Sequence, residues 1–349
     1  MKFEEALSKM VAPGTKRPGK WRQGVIQIWT TRTCDKSCFG CTQSSQLSGG
    51  KQQGFISPEV FEANVRSLGF GSDDEEPYFG VVGVFGGNPA LHPEFETLCE
   101  ILKSLVPFEQ RGLWCNKPFG KTQIMRETFN PKVSNLNVHL DQKAFDEFKA
   151  GWPEANVVGL NSDSRHSPVL ISAEDLEDVT PSELWEAVSD CDINQHWSAM
   201  LGQVMINNKP EPRAWFCEIA GMQDMLANFH NSDYEPSGID PRERFLLETT
   251  DETNDTWRTH RLARWWEMPV DFFQEQVRRH CSNCGVPFRG KGELSQNAEG
   301  VERFSTHWGF VATGQKKPNR KTEVVSNLVQ LQSNAFSTVV DYIGNGNKK

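Results

Sequence analysis

Residues 30–46, TTRTCDKSCFGCTQSSQ, bring Cys34, Cys38 and Cys41 within eight positions of a polar, glycine-bearing stretch. Isolated free cysteines are usually core residues. Three thiols in a polar loop are badly explained by packing, and their chemistry is metal binding or redox. A structural zinc ion takes four protein ligands in a tetrahedron, yet no fourth Cys or His stands beside this triplet. An iron–sulfur cube has four irons, so three cysteines leave one iron open to a small molecule.

The other cysteines divide into two kinds. Cys99, on an expected helix, and Cys115, in an expected strand, read as core thiols. Cys191, Cys217, Cys281 and Cys284 number four, the complete ligand set for another iron–sulfur cluster or for a structural zinc. The first residues contain no apolar run of the signal-peptide kind, and no stretch has the apolar length of a membrane span. A soluble cytoplasmic protein is expected, and there thiols stay reduced, which favours metal or redox use over disulfides.

His139, His166 and Glu218 are candidate proton-transfer groups, and Arg165, Arg213 and Arg289 could orient a carboxylate or phosphate. Hydrogen-bonded structure or surface charge explains each more simply, so none receives a catalytic role.

These residues need elements to hold them. GVIQIWTT (24–31) reads as a strand running into the first cysteine. A helix capped by Ser57 with Pro58 in its first turn follows, then the strand YFGVVGVF, the loop Gly86-Gly87-Asn88-Pro89 and a helix from about Pro93. GLWCN (112–116), NLNVHL (135–140), NVVGL (156–160) and PVLIS (168–172) are further strands. Strands alternating with crossovers predict an α/β fold with a parallel sheet, open or closed into a barrel, and a site at its carboxyl ends. Near residue 180 the texture changes: Thr180, Pro181 and Glu183 start a capped helix, and SAMLGQVMI and RAWFC flank a turn in NNKPEP. A domain boundary is expected there.

The formal charge of −9 argues against a general phosphate-backbone binder, whose affinity rests on clustered Lys and Arg. The basic stretches 258–289 and 316–321 read as solvated faces.

The C-x3-C-x2-C spacing of Cys34, Cys38 and Cys41 after the first strand, with GGNP after the second, resembles the radical S-adenosylmethionine (SAM) enzymes. Two positions depart from the family pattern: Gly40 stands where an aromatic residue usually precedes the third cysteine, and Asn88 replaces the commoner Glu of the glycine loop. The resemblance implies a partial (β/α)6 barrel over 1–180, with SAM chelating the open iron of a 4Fe-4S cluster. It also implies SAM contacts from Gly86, Gly87, Asn88 and Pro89, and from Asn116 at a strand end. Cys191, Cys217 and the Cys281/Cys284 pair are ordered as in the Twitch form of the SPASM domain. That implies a smaller α+β iron–sulfur accessory domain over 181–310 holding a second 4Fe-4S cluster, with 311–349 as an extension. The implied activity is reductive cleavage of SAM and hydrogen abstraction from a polar substrate, with an electron donor such as flavodoxin or ferredoxin. Oxidation of a small metabolite is favoured. The alternatives are redox-neutral isomerisation or epimerisation, or modification of a peptide or nucleic-acid base, such as amino-group migration on a modified thymidine in a phage pathway. A non-enzymatic iron–sulfur or zinc protein is the reading from a different class.

Overall fold

The run Val25–Trp29, VIQIW, is buried at four of its five positions, as expected of a strand covered on both faces. It forms the central strand β1 of a computed structural model that describes residues 1–10, 24–36, 54–72, 76–160, 179–189, 191, 198–231, 233–250, 258–284 and 287. Around it are β2 (Val81–Phe85), β3 (Arg111–Cys115), β4 (Asn135–Asn137), β5 (Val157–Val158), β6 (Ser198–Ile206) and β7 (Lys209–Trp215). They make a seven-stranded, mostly parallel sheet of order β5-β4-β3-β2-β1-β6-β7. The helices are α1 (Phe3–Lys9), α2 (Pro58–Ser67), α3 (Phe95–Leu105), α4 (Thr122–Thr128), α5 (Gln142–Gly151), α6 (Pro181–Ser189), α7 (Glu218–His230) and α8 (Gln274–Gln276).

From β1 to β5 the strands are parallel and lie in chain order. Right-handed crossovers that always step the same way leave their helices on one face of the sheet. Accordingly α2 packs on α3, α3 on α4 and α4 on α5. The expected strand PVLIS (168–172) and the stretch 311–349 lie outside the described residues.

The capping signals act as expected. Ser57 Oγ accepts the Val60 N–H, and Thr180 and Glu183 bond reciprocally, Thr180 N to the Glu183 carboxylate at 3.0 Å and Glu183 N to Thr180 Oγ1 at 3.3 Å. The helix expected from about Pro93 is α3, which begins two residues later, at Phe95.

The sheet continues past residue 180. β6 runs parallel to β1, with Val25 opposite Ser198, and β7 returns antiparallel to β6. The hairpin turn is narrower than NNKPEP: Asn207 and Asn208 alone make it, at φ 50° and 60°, the type I′ geometry suited to strand twist. Pro210 and Pro212 then lie inside β7, where an edge strand tolerates a missing donor. Residues 245–263 form a separate hairpin, β8 (Phe245–Thr250) with β9 (Arg258–Ala263).

In the stretch 258–289, Arg261 and Arg278 are exposed, as a solvated face requires, whereas Arg264 is folded inward. Arg264 is buried, and its Nη1 donates to Ser67 O at 2.7 Å and to Arg66 O at 3.4 Å, closing the carboxyl end of α2. Arg278 lies over the Phe3 ring at 4.3 Å, and Arg261 pairs with Glu267. Helix α1 packs against α6 and against the turn Val270–Phe273, so the first residues join the later elements. Among the described residues no helix is long and apolar enough to cross a membrane.

Candidate functional site

The ladder between β1 and β2 ends where Thr30 N donates to Phe85 O at 2.9 Å. Beyond it the chain leaving β1 leads to Cys34, and the chain leaving β2 forms the glycine loop. The two backbones touch: Gly87 N donates to Thr31 O at 2.6 Å and Asn88 N to Thr33 O at 2.8 Å. A β-carbon on Gly86 would fall on Thr31 O and one on Gly87 on Thr33 O, so two adjacent glycines are a steric requirement of this approach.

Asn88 is fully buried. Its Oδ1 accepts from Ala90 N at 2.9 Å, and its Nδ2 donates to Lys117 O at 3.0 Å and to Asn116 Oδ1. Asn116 Nδ2 in turn donates to Asp35 Oδ1 at 3.1 Å and lies 3.7 Å from Cys34 Sγ. Cys34, Asn88 and Asn116, from the ends of β1, β2 and β3, thus form one connected group, with Pro89 buried at the start of a short 3-10 turn.

Two further contacts steady this face. His92 Nδ1 accepts Glu94 N–H at 3.0 Å, so its Nε2–H donates to Ile56 O at 2.9 Å, and Ile56 N donates to Thr30 O at 2.9 Å. Both ends of the cysteine loop are thereby clamped. Asp141 caps α5 through Ala144 N and stands 3.2 Å from Lys36 Nζ and 3.5 Å from Lys117 Nζ. The Ala144 N–H, with the two lysines, holds the Asp141 carboxyl at about 2, against a smaller opposing effect of desolvation.

Arg32, two residues before Cys34, was not anticipated. It is buried with Nε and Nη1 lacking hydrogen-bond partners among the described residues, and its guanidinium lies 5.4 Å from the Phe229 ring. Burial lowers it to about 10. It is thus a buried positive charge for which no carboxylate partner is described, beside the Phe229 ring.

Cys38, Cys41, His166, Arg165 and Arg289 lie outside the described residues. Cys99 and Cys115 are buried and burial raises both thiols to about 12, in keeping with core roles. His139 sits just after β4 at φ 50°, its N–H donating to Asn137 Oδ1 at 3.2 Å. Arg213 donates to Pro212 O.

The second group of cysteines converges. Cys191 follows α6, Cys217 precedes α7, and Cys281 ends the π-helical turn Val277–Cys281, with Cys284 N bonded back to Cys281 O at 3.3 Å. All four line one apolar cavity, with Met10, Val188, Phe216, Ile219, Ala220, His280 and Pro287 completing its wall. Burial and then the Cys191 thiol push Cys217 up to about 12, opposed by the Ala220 and Ile219 N–H groups at the start of α7. Burial and then the Cys284, Cys217 and Cys191 thiols raise Cys281 well above the ordinary thiol value. Four cysteines facing one apolar pocket would stay protonated thiols without a metal, and a cation among them would stabilise their thiolate forms. Among the described residues no group of three or more His, Cys, Asp or Glu is placed around a single common ion. The two findings are compatible, because facing one cavity demands less than sharing one coordination sphere. Glu218 is buried beside Cys217 as the first residue of α7.

No protein-family model matches the chain, and no curated protein is significantly similar to it.

Proposed function

We propose that this chain is a radical SAM enzyme. In this reading Cys34, Cys38 and Cys41 hold a 4Fe-4S cluster at the mouth of a partial (β/α)6 barrel. Cys191, Cys217, Cys281 and Cys284 hold a second centre in a Twitch-like accessory unit. The observation that carries the reading is the hydrogen-bonded group of Cys34, Asn88 and Asn116 at three adjacent strand ends. Unrelated thiols and an incidental turn give no reason for that convergence, and the consecutive order of β1 to β5 suits a barrel wall.

When bound, the cluster and SAM supply an electron, a broken carbon–sulfur bond and a hydrogen-abstracting 5′-deoxyadenosyl radical. The chain's own residues bind and orient. The Gly86–Gly87 backbone packs on Thr31 and Thr33 and so brings the glycine loop beside the cysteine segment, where the methionyl end of SAM would bind; Asn88 fixes that loop, and Asn116 offers an amide beside the cysteine segment. Lys36, Lys117 and Asp141 hold the surrounding loops in register.

The substrate would be a small polar molecule undergoing oxidation in the cytoplasm; the centre held by Cys191, Cys217, Cys281 and Cys284 would supply an electron acceptor, and flavodoxin or ferredoxin would supply the electron to the first. Product analysis with deuterated substrate separates oxidation from rearrangement.

The test is anaerobic reconstitution with iron, sulfide and zinc analysis and a dithionite-driven assay for 5′-deoxyadenosine, comparing wild type with Cys34, Cys38 and Cys41 all changed to Ala. About eight irons per chain falling to about four, with loss of SAM cleavage, is the expected result. Undiminished SAM cleavage in the variant, or zinc as the main metal, refutes the proposal.

A further inference from the structure

His280 lies between a buried carboxylate and the cavity of the four cysteines. It is 1% exposed and forms part of the cavity wall. Its Nε2 stands 2.9 Å from Ser237 Oγ and 3.3 Å from Asp224 Oδ1. Asp224 is itself fully buried and receives Trp215 Nε1 at 2.8 Å, Ser237 N at 3.1 Å, Gly238 N at 3.0 Å and the Tyr234 hydroxyl at 2.5 Å. Every one of these groups donates, as an ionised carboxylate requires.

A carboxylate facing Nε2 favours hydrogen on that nitrogen, so Nδ1 is the atom through which this imidazole would ligate a metal. That Nδ1 is buried and has no hydrogen-bond partner among the described residues. Five polar or sulfur groups thus border an otherwise apolar pocket: four thiols and one imidazole. A cavity-lining histidine with one nitrogen facing a carboxylate and the other buried without a bonded partner has the arrangement of a metal-ligating histidine with its outer-shell partner. The π-helical turn that carries His280 and Cys281 is the kind of local irregularity that gathers at functional sites.

We infer that His280 ligates the second metal centre through Nδ1, with Asp224 as the carboxylate that orients it. This rests on the reading that the cavity lined by Cys191, Cys217, Cys281 and Cys284 is a metal site. A cubane and a tetrahedral zinc site each take four protein ligands. A fifth donor makes one of the four thiols dispensable.

The test uses full-length protein with Cys34, Cys38 and Cys41 changed to Ala, so that only the second centre is loaded. It is reconstituted with iron and sulfide, or with cobalt(II) where zinc is the native metal, and studied by pulsed electron paramagnetic resonance with and without 15N-histidine. A strong histidine nitrogen coupling that follows the isotope is expected. His280→Cys should keep the metal and lose that coupling, and one of the four single Cys→Ala variants should retain a full metal complement. Absence of the coupling in the parent protein overturns the inference without a variant having to fold, and so does a coupling unchanged in His280→Cys. Failure of the parent to bind any metal at this site is a different result: it removes the centre, and the ligand with it.

Discussion

Asp141 joins three parts of the sheet's mouth: it starts α5 and reaches Lys36 of the cysteine segment and Lys117 of the loop after β3. Its carboxyl is held at about 2, below the ordinary 3.8, so the folded protein binds this proton less readily than the unfolded chain does. The stabilisation is therefore fully present above pH 3.8 and is lost as the pH falls towards 2. Asp141→Asn is expected to be less stable than wild type at pH 7, with the difference shrinking through that window. Urea unfolding at several pH values checks this, and a difference that stays constant down to pH 2 contradicts it. At this scale the sequence was informative wherever residue type came with spacing. Cys34, Gly86, Gly87, Asn88 and Asn116 were legible from motif and strand position. Arg32 and His280 were not, because a lone Arg or His has no spacing signal, and its meaning lies in having a buried atom with no bonded partner.

Between elements, the longest-range cap is Arg264, nearly two hundred residues from the helix end it closes. Its charged donor satisfies the Ser67 and Arg66 carbonyls of α2. A hydrogen bond to a charged group in a buried setting contributes about 1.5–3 kcal/mol. Arg264→Ala should cost about 2 kcal/mol by denaturant titration, while Arg261→Ala, which breaks an exposed pair with Glu267, should cost far less. Equal losses would mean that the α2 contact carries no weight. Caps formed within a few residues, at Ser57 and at Thr180 with Glu183, were readable from local sequence. Arg264 was part of a stretch read as a solvated face, since composition does not reveal that a guanidinium is folded inward against a distant helix.

For the molecule as a whole, the texture change near residue 180 does not interrupt the hydrogen-bonded sheet. β6 covers the edge of β1, α7 packs on β6, and α1 brings Phe3 against Trp185 and Arg278. Full-length protein should unfold in one cooperative transition. A fragment of residues 1–180 should aggregate or lack fixed tertiary structure, because it bares an unpaired edge and an apolar face. Calorimetry and near-ultraviolet circular dichroism test this, and a fragment that melts cooperatively at the full-length temperature would count against it.

Strand and helix periodicity, the capping residues and the close spacing of Cys34, Cys38 and Cys41 are local properties of the chain. They were sufficient for the α/β class, the order of its first five strands along the chain and the candidate metal chemistry. The contacts among Cys34, Asn88 and Asn116, the meeting of Cys191 and Cys217 with the distant Cys281/Cys284 pair, the Asp224–His280 pair and the pairing of β6 with β1 join residues far apart in the chain. No local pattern encodes such distances. They were decided only when burial of the shared core selected one packing of the strands and helices.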